Sequence, residues 1–290
     1  MTRCLGRVLP LRGIARASLM RATLRNEISR PNDVTVVLGV RNRCDYRLTN
    51  ALRSIRAQAY PADRVQINVV DYGSTPRVGR KVIEVCEYHG ARYLRVNDAP
   101  VWSRSHCLNI GIKLAETKFL LTSDVDIVFS PNYLAEAVHL LAESPASVVY
   151  SAMRDLPEES AEKLERAADT GENLQFHDWA ERCNPRYGRD FHPSIGMTYT
   201  ALFQLIRGYD EYYKVWGFED DDLFRRFRYM GLKPRTMGMN SFYLHQWHLK
   251  LEGVLDQEDV LQIQKNRVYF GKHHSILRND RNWGQARPLS

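Results

Sequence analysis

Four short stretches of this chain carry side chains able to bind a metal ion, move a proton or hold a phosphate. Ser123-Asp124-Val125-Asp126 follows the apolar run Phe119-Leu120-Leu121-Thr122. In an extended segment residues i and i+2 point to the same side. Asp124 and Asp126 then face one cleft, where paired carboxylates attract a hard divalent cation. Asp71-Tyr72-Gly73-Ser74 ends another apolar run. Trp216-Gly217-Phe218-Glu219-Asp220-Asp221-Asp222 places four consecutive acids at the start of a helix. Acids there complement the helix dipole, but four exceed what capping needs, and the aromatic-glycine pair beside them suggests a wall for a ring-shaped ligand. His245-Gln246-Trp247-His248 adds two imidazoles three residues apart as further candidate ligands. Taken singly, each stretch has a plainer reading: a chance Asp-x-Asp, a capped helix, structural histidines.

The elements that must position these residues alternate. Val34–Leu38 reads as a short strand buried on both faces, and Val65–Val70, Tyr93–Val96, Phe119–Thr122 and Val148–Tyr150 read as further strands. Between them, Leu48/Leu52/Ile55/Ala59, Val78/Val82/Cys86 and Leu108/Ile112/Ala115 fall at helical spacing. Ser130-Pro131 reads as an N-cap and first-turn proline for a helix through Leu134, Val138 and Leu141. Alternation at this spacing predicts an α/β fold, a mainly parallel sheet with helices on both faces, in a single catalytic domain. Ligands of such sheets bind outside the carboxyl ends of the strands, here after Leu38, Val70 and Thr122. Residues 154–190 are polar, with a helix around Glu158–Ala168, and read as an excursion or lid. Met197–Ile206 reads as a strand passing into a short helix, and a helix follows Glu219 and ends at Gly231.

The chain has 290 residues, 44% hydrophobic and 26% charged, an ordinary globular composition with no run long enough to span a bilayer. Its net charge of +7 is unevenly placed. Residues 1–30 hold seven arginines and one acid, leaving 34 basic and 33 acidic side chains in a nearly neutral body. The basic character therefore belongs to an N-terminal arm, which reads as a poorly ordered leader, an anionic-membrane contact or a phosphate contact. It lacks the compact apolar core of a secretory signal. The five cysteines are widely spread with no zinc-site spacing, as expected of reduced thiols in a cytoplasmic protein, peripheral at the membrane if the arm binds there.

In order and spacing these stretches resemble the GT-A-fold, nucleotide-sugar-dependent glycosyltransferases of the large family 2-like group. Val34–Arg43 resembles the family's opening strand and loop, without its usual Pro and Tyr-Asn. Val69-Val70-Asp71-Tyr72-Gly73-Ser74-Thr75 is similar to VVDDGSTD, with Tyr72 for the second Asp. Trp102–Gly111 is similar to the segment preceding the donor diphosphate site, and Ser123–Asp126 fits the DxD. Gly208-Tyr209-Asp210-Glu211 with Trp216–Leu223 resembles the GGFDE…WGxEDxDL of galactosyltransferase-like C-terminal halves.

The resemblance implies a Rossmann-like GT-A domain over 31–250, with a nucleotide-sugar half at 31–130 and an acceptor half at 131–250. The basic arm (1–30) precedes it and a helical tail (251–290) follows. It also implies roles. Asp71 holds the base or ribose beside Val40 and Arg41, and Arg104 approaches the diphosphate. Asp124 contacts ribose or metal-bound water, and Asp126 ligates Mn²⁺ or Mg²⁺ with His245, or second His248. Asp220 is the base, Glu219 orients acceptor or sugar, and Trp216 stacks on a sugar face. The implied reaction moves a hexose or N-acetylhexosamine from a UDP-sugar to a hydroxyl of a glycan, lipid-linked, protein or nucleic-acid acceptor, with inversion.

Four other readings compete. One is a retaining transferase of the same fold. Another is a glycosyltransferase of modified nucleic-acid bases, its arm gripping DNA phosphates. A non-enzymatic nucleic-acid-binding module lacks any helix-turn-helix or zinc-finger signature. A sugar nucleotidyltransferase would want a Gly-rich basic loop after the first strand, which Gly39-Val40-Arg41-Asn42 does not supply.

Overall fold

A computed structural model describes residues 13–97, 99–172, 176, 179, 183–185, 191–248 and 255–285. Its central sheet has seven strands: β1 (Val34–Val40), β2 (Val65–Tyr72), β3 (Arg92–Val96), β4 (Phe119–Asp124), β6 (Ser147–Tyr150), β9 (Met197–Tyr199) and β10 (Lys233–Thr236). Their order is β10-β6-β9-β4-β1-β2-β3. β1 runs parallel to β2 and to β4, β2 to β3, and β6 to β10, whereas β9 is antiparallel to β4 and β6. The predicted α/β class and its mainly parallel sheet are therefore observed. Near-continuous burial along β1, β2 and β4 explains their unbroken apolar runs.

A smaller sheet escaped the sequence reading. It joins β5 (Ile127–Phe129), β11 (Tyr243–His245), β7 (Met153–Asp155) and β8 (Asn184–Pro185) in the order β5-β11-β7-β8. Its strands are two or three residues long, too short for a period to register. Ser130-Pro131 accordingly does not cap a helix. Ser130 exchanges hydrogen bonds with Phe242 beside the small sheet, and the helix starts at Tyr133 after Asn132.

Leu108 and Ile112 lie on helix Arg104–Lys113, whose N-terminus is capped by Ser103 Oγ accepting the His106 amide. It presses on β1 and β2. Gly111 makes that approach possible, since a Cβ there would meet Val37 Cγ1 at 2.3 Å.

Both ends of the chain depart from expectation. From residue 13 the basic segment is not a loose leader. Gly13–Glu27 is a helix that buries Met20 and Leu24 in the main core, against helices Thr200–Leu205 and Glu219–Met230, with Arg21 and Arg25 outward. Arg3, Arg7 and Arg12 lie outside the described residues, as does much of the 154–190 excursion. Among the described residues, the C-terminal segment is helical over Gln257–Lys272 and not beyond. It then returns to the body. Asn279 donates to the Arg207 and Tyr209 carbonyls, the Gly284 amide bonds Glu211 Oε1 at 2.7 Å, and Trp283 is buried. Among the described residues no helix is long and apolar enough to cross a membrane.

Helix Glu219–Met230 is locked by its fourth acid. Fully buried Asp222 accepts from Arg226 Nε at 2.6 Å, Arg225 Nη2 at 3.1 Å and Arg278 Nη2 at 3.2 Å. Arg226 is equally buried and also donates to the Gly208 carbonyl at 2.8 Å. Removing one partner of such a pair leaves an uncompensated charge in the interior. Asp222→Ala is expected to destabilise the fold by about 3–5 kcal/mol in urea unfolding, and Asp221→Ala, at an exposed position, by less than about 0.5 kcal/mol. Equal effects would refute this division of labour.

Candidate active site

β1 is the switch point of the large sheet, because successive strands are added on one side (β2, β3) and then on the other (β4). The crevice outside the carboxyl ends of β1 and β4 is therefore the natural ligand position. Its walls are the end of β4, the N-terminus of helix Arg104–Lys113, the N-terminus of helix Glu219–Met230, and β11 of the small sheet.

On the small-sheet side, Asp126 meets both histidines. Its Oδ2 lies 3.2 Å from His248 Nε2 and 3.8 Å from His245 Nε2, and candidate ligand atoms of the three residues lie within 4.8 Å of one another. β11 carries His245 here by pairing with β5, which puts His245 opposite Ile127, next to Asp126. Burial alone would raise the Asp126 carboxyl, but the His248 hydrogen bond and the charges of His245, His248 and Arg43 outweigh it and hold it well below the usual range. The other His245 nitrogen, Nδ1, lies 3.0 Å from Asp155 Oδ1. One carboxylate and two imidazoles form a donor set that suits a divalent transition metal better than magnesium, which prefers oxygen.

Asp124 does not join them. β4 ends at Asp124, and the chain turns through Val125-Asp126, so the same-face rule for an extended segment does not apply across this pair. Asp124 instead takes a two-point contact from Arg104, Nε at 2.6 Å and Nη2 at 3.2 Å. Arg104 Nη1 donates to Asp220 Oδ1 at 2.7 Å, and Nη2 reaches the Ser194 carbonyl at 3.2 Å. The guanidinium expected to approach a diphosphate is thus committed to two carboxylates. It ties the end of β4 to the acidic helix.

The four acids of that helix separate by helical phase. Glu219 and Asp222, three apart, turn inward, Asp220 faces the cleft on Arg104, and Asp221 is exposed. Burial pushes the Glu219 carboxyl up, and one of its oxygens, Oε2, lies buried without a hydrogen-bond partner. Asp220 is raised as well. Burial is the largest cause, Glu219 and Asp124 add to it, and Arg104 opposes it.

The nucleotide side differs from expectation. Asp71 is fully buried and accepts from Arg95 Nη1 at 2.7 Å, Tyr93 Oη at 2.8 Å and the Ser74 amide at 2.9 Å. Its carboxylate shapes the loop after β2 and is not open to a base or ribose. Val40 is buried, so only its backbone can face a ligand, while Arg41 donates to the Pro100 carbonyl at 3.3 Å. Trp216, 62% exposed, stands on the rim. Sequence reasoning missed Asp155, Arg43, Ser194 and Arg95, because no local pattern marks a residue whose role is to meet a distant one.

A mainly parallel sheet with its cleft at the switch point, acids at a helix mouth and a carboxylate–imidazole cluster are the features of a GT-A-type glycosyltransferase. The chain matches the family described as "Glycosyltransferase like family 2" over residues 35–272, and it belongs to that family. No curated protein sequence matches it significantly. Among solved structures it is similar to S. aureus TarS, at 17% identity and a TM-score of 0.52, over 82% of this chain and 39% of that one, so it spans well under half of TarS. It is also similar to the mannosyltransferase PcManGT of Pyrobaculum calidifontis, solved with GDP-Man and Mn²⁺. There the identity is 17% and the TM-score 0.53, over 90% of this chain and 79% of that one.

Proposed function

We propose that this enzyme moves a hexose or N-acetylhexosamine from a UDP-sugar to an acceptor hydroxyl with inversion, using Mn²⁺ held by Asp126, His245 and His248. The observation that carries this reading is a cluster of one buried carboxylate and two imidazoles at Asp126, two residues beyond Asp124, whose partner Arg104 also holds Asp220. The Mn²⁺ and nucleotide-sugar in the PcManGT complex support it. Asp126, His245 and His248 would hold the ion, which when bound would stabilise the negative charge developing on the leaving nucleotide.

The remaining work falls to the chain's own groups. Asp220 takes the acceptor proton at a carboxylate oxygen, and a raised pKa suits a base operating near neutral pH. Arg104 holds Asp220 against the end of β4 and balances its charge with that of Asp124. Glu219 orients the acceptor or sugar from beneath, and Trp216 supplies an apolar face for a ring.

Nucleotide release from UDP-, GDP- and dTDP-sugars with and without Mn²⁺ tests the proposal. The expected result is UDP release that needs Mn²⁺. Faster GDP release replaces the donor assignment, and no release from any donor overturns the reading.

Asp155 is expected to fix the orientation of His245 through Nδ1, leaving Nε2 for the ion. Losing such an outer partner typically weakens metal binding by about 10–100-fold. Calorimetric titration of Asp155→Ala with Mn²⁺ is expected to show a loss in that range, and unchanged affinity would remove Asp155 from the site.

A further inference from the structure

The segment that leads into Glu219 and brings Asp220 to the cleft is built in an unfavourable backbone form. Val215 has φ 64°, Gly217 φ 101° and Phe218 φ 73°. Glycine tolerates the left-handed region, but a β-branched valine there is an outlier. Residues held in such regions cost of order 1–3 kcal/mol each and persist only where their surroundings over-determine them.

The surroundings here come largely from one residue of the C-terminal helix. Asn266 is fully buried, and its amide nitrogen donates to the Lys214 carbonyl at 2.9 Å and the Trp216 carbonyl at 3.1 Å. The two bonds straddle Val215. Asn266 Oδ1 accepts from Gln262 Nε2 at 2.9 Å, which fixes the amide so that both hydrogens face the loop. From the opposite side the Val215 amide donates to the Trp102 carbonyl at 2.9 Å. The helix has other attachments near its end: Arg225 stacks over Phe270 at 3.8 Å and donates to its carbonyl at 3.0 Å. Asn266 is therefore not needed to seat the helix, yet it meets both carbonyls that flank the strained valine.

We propose that Asn266 is a positioning residue: it clamps the Lys214–Phe218 segment, with Val215, Gly217 and Phe218 left-handed, in the form that turns Glu219 inward and aims Asp220 into the cleft. The proposal rests on the reading of Asp220 as the base.

Hydrogen exchange followed by mass spectrometry on the full chain tests it directly, with Asn266→Ala, Asn266→Asp and Asn266→Ala/Val215→Gly compared with wild type. Both single variants are expected to speed exchange in peptides covering 214–222 while peptides from β1 and β4 stay protected. In parallel, kcat for Mn²⁺-dependent UDP-sugar turnover is expected to fall by roughly 10–100-fold, the effect of a small misplacement of a catalytic group. The donor KM is expected to stay within about twofold of wild type. Adding Val215→Gly, which relieves the backbone strain, is expected to recover part of the lost kcat. A merely structural asparagine would loosen β1 and β4 as well and gain nothing from that glycine. Unchanged exchange at 214–222, or loosening throughout the chain, overturns the clamp. If wild type turns over no nucleotide-sugar, or Asp220→Asn remains fully active, the base assignment falls. The exchange data then decide the clamp alone, since they require no substrate.

Discussion

Asp220→Asn is expected to lower sugar transfer by roughly 10²–10⁴-fold, the usual worth of a general base, with donor affinity nearly unchanged. The amide keeps the size of the carboxylate and can still accept from Arg104 Nη1, now 2.7 Å from Asp220 Oδ1. What it loses is the ability to take a proton. Asn caps a helix about as well as Asp, so a residue that only closed the helix N-terminus would tolerate the change. The wild-type pH profile supplies a second readout. Burial, then Glu219 and Asp124, push the Asp220 carboxyl up against the opposing pull of Arg104. A base works deprotonated, so transfer should fall as pH drops through that raised value. The acid limb should therefore lie above the ordinary carboxylate range near about 4, and Asp220→Asn should flatten it. If Asp220→Asn is near wild type while Glu219→Gln is inactive, the base is Glu219. If both are active, inversion through this helix is wrong and a retaining reaction replaces it.

Asp126→Ala is expected to abolish Mn²⁺ binding in the working range, a loss of at least about 100-fold, exceeding what an outer partner such as Asp155 contributes. Asp126 is the anionic member of the cluster that also contains His245 and His248. Neutral imidazoles alone would leave the ion's charge unbalanced, so His245→Ala and His248→Ala should be milder. EDTA should abolish transfer and added Mn²⁺ restore it. Circular dichroism of Asp126→Ala checks the fold, since Arg43 lies 3.8 Å from the carboxylate it would lose. Full transfer in EDTA would reject the metal reading altogether.

Much of the frame was legible beforehand because its signals are local. The Val34–Leu38 and Phe119–Thr122 runs are buried on both faces, and both are strands of the parallel sheet. Leu108 and Ile112, at helical spacing, lie on the helix that carries Arg104. The end of β4 and the acidic turn at Glu219 could be named as chemistry-bearing because unusual charge stood next to a recognisable element boundary. The small sheet could not, because strands of two or three residues are shorter than any period that marks them.

The sequence alone determined the alternation of elements, the strand ends at which the candidate site lies and the stretches that supply acids and imidazoles. Periodicity and boundaries are written in neighbouring residues. Which acid does what was decided only by the tertiary structure. Arg104 reaches Asp220 across 116 residues, Asn266 reaches Lys214 across 52, and the Val125-Asp126 turn sends Asp124 to an arginine and Asp126 to two histidines. Four adjacent acids on one helix turn likewise part company because successive residues on a helix point about 100° apart. Only the packed neighbours on each side then say which is buried on arginine, which faces the cleft and which meets water.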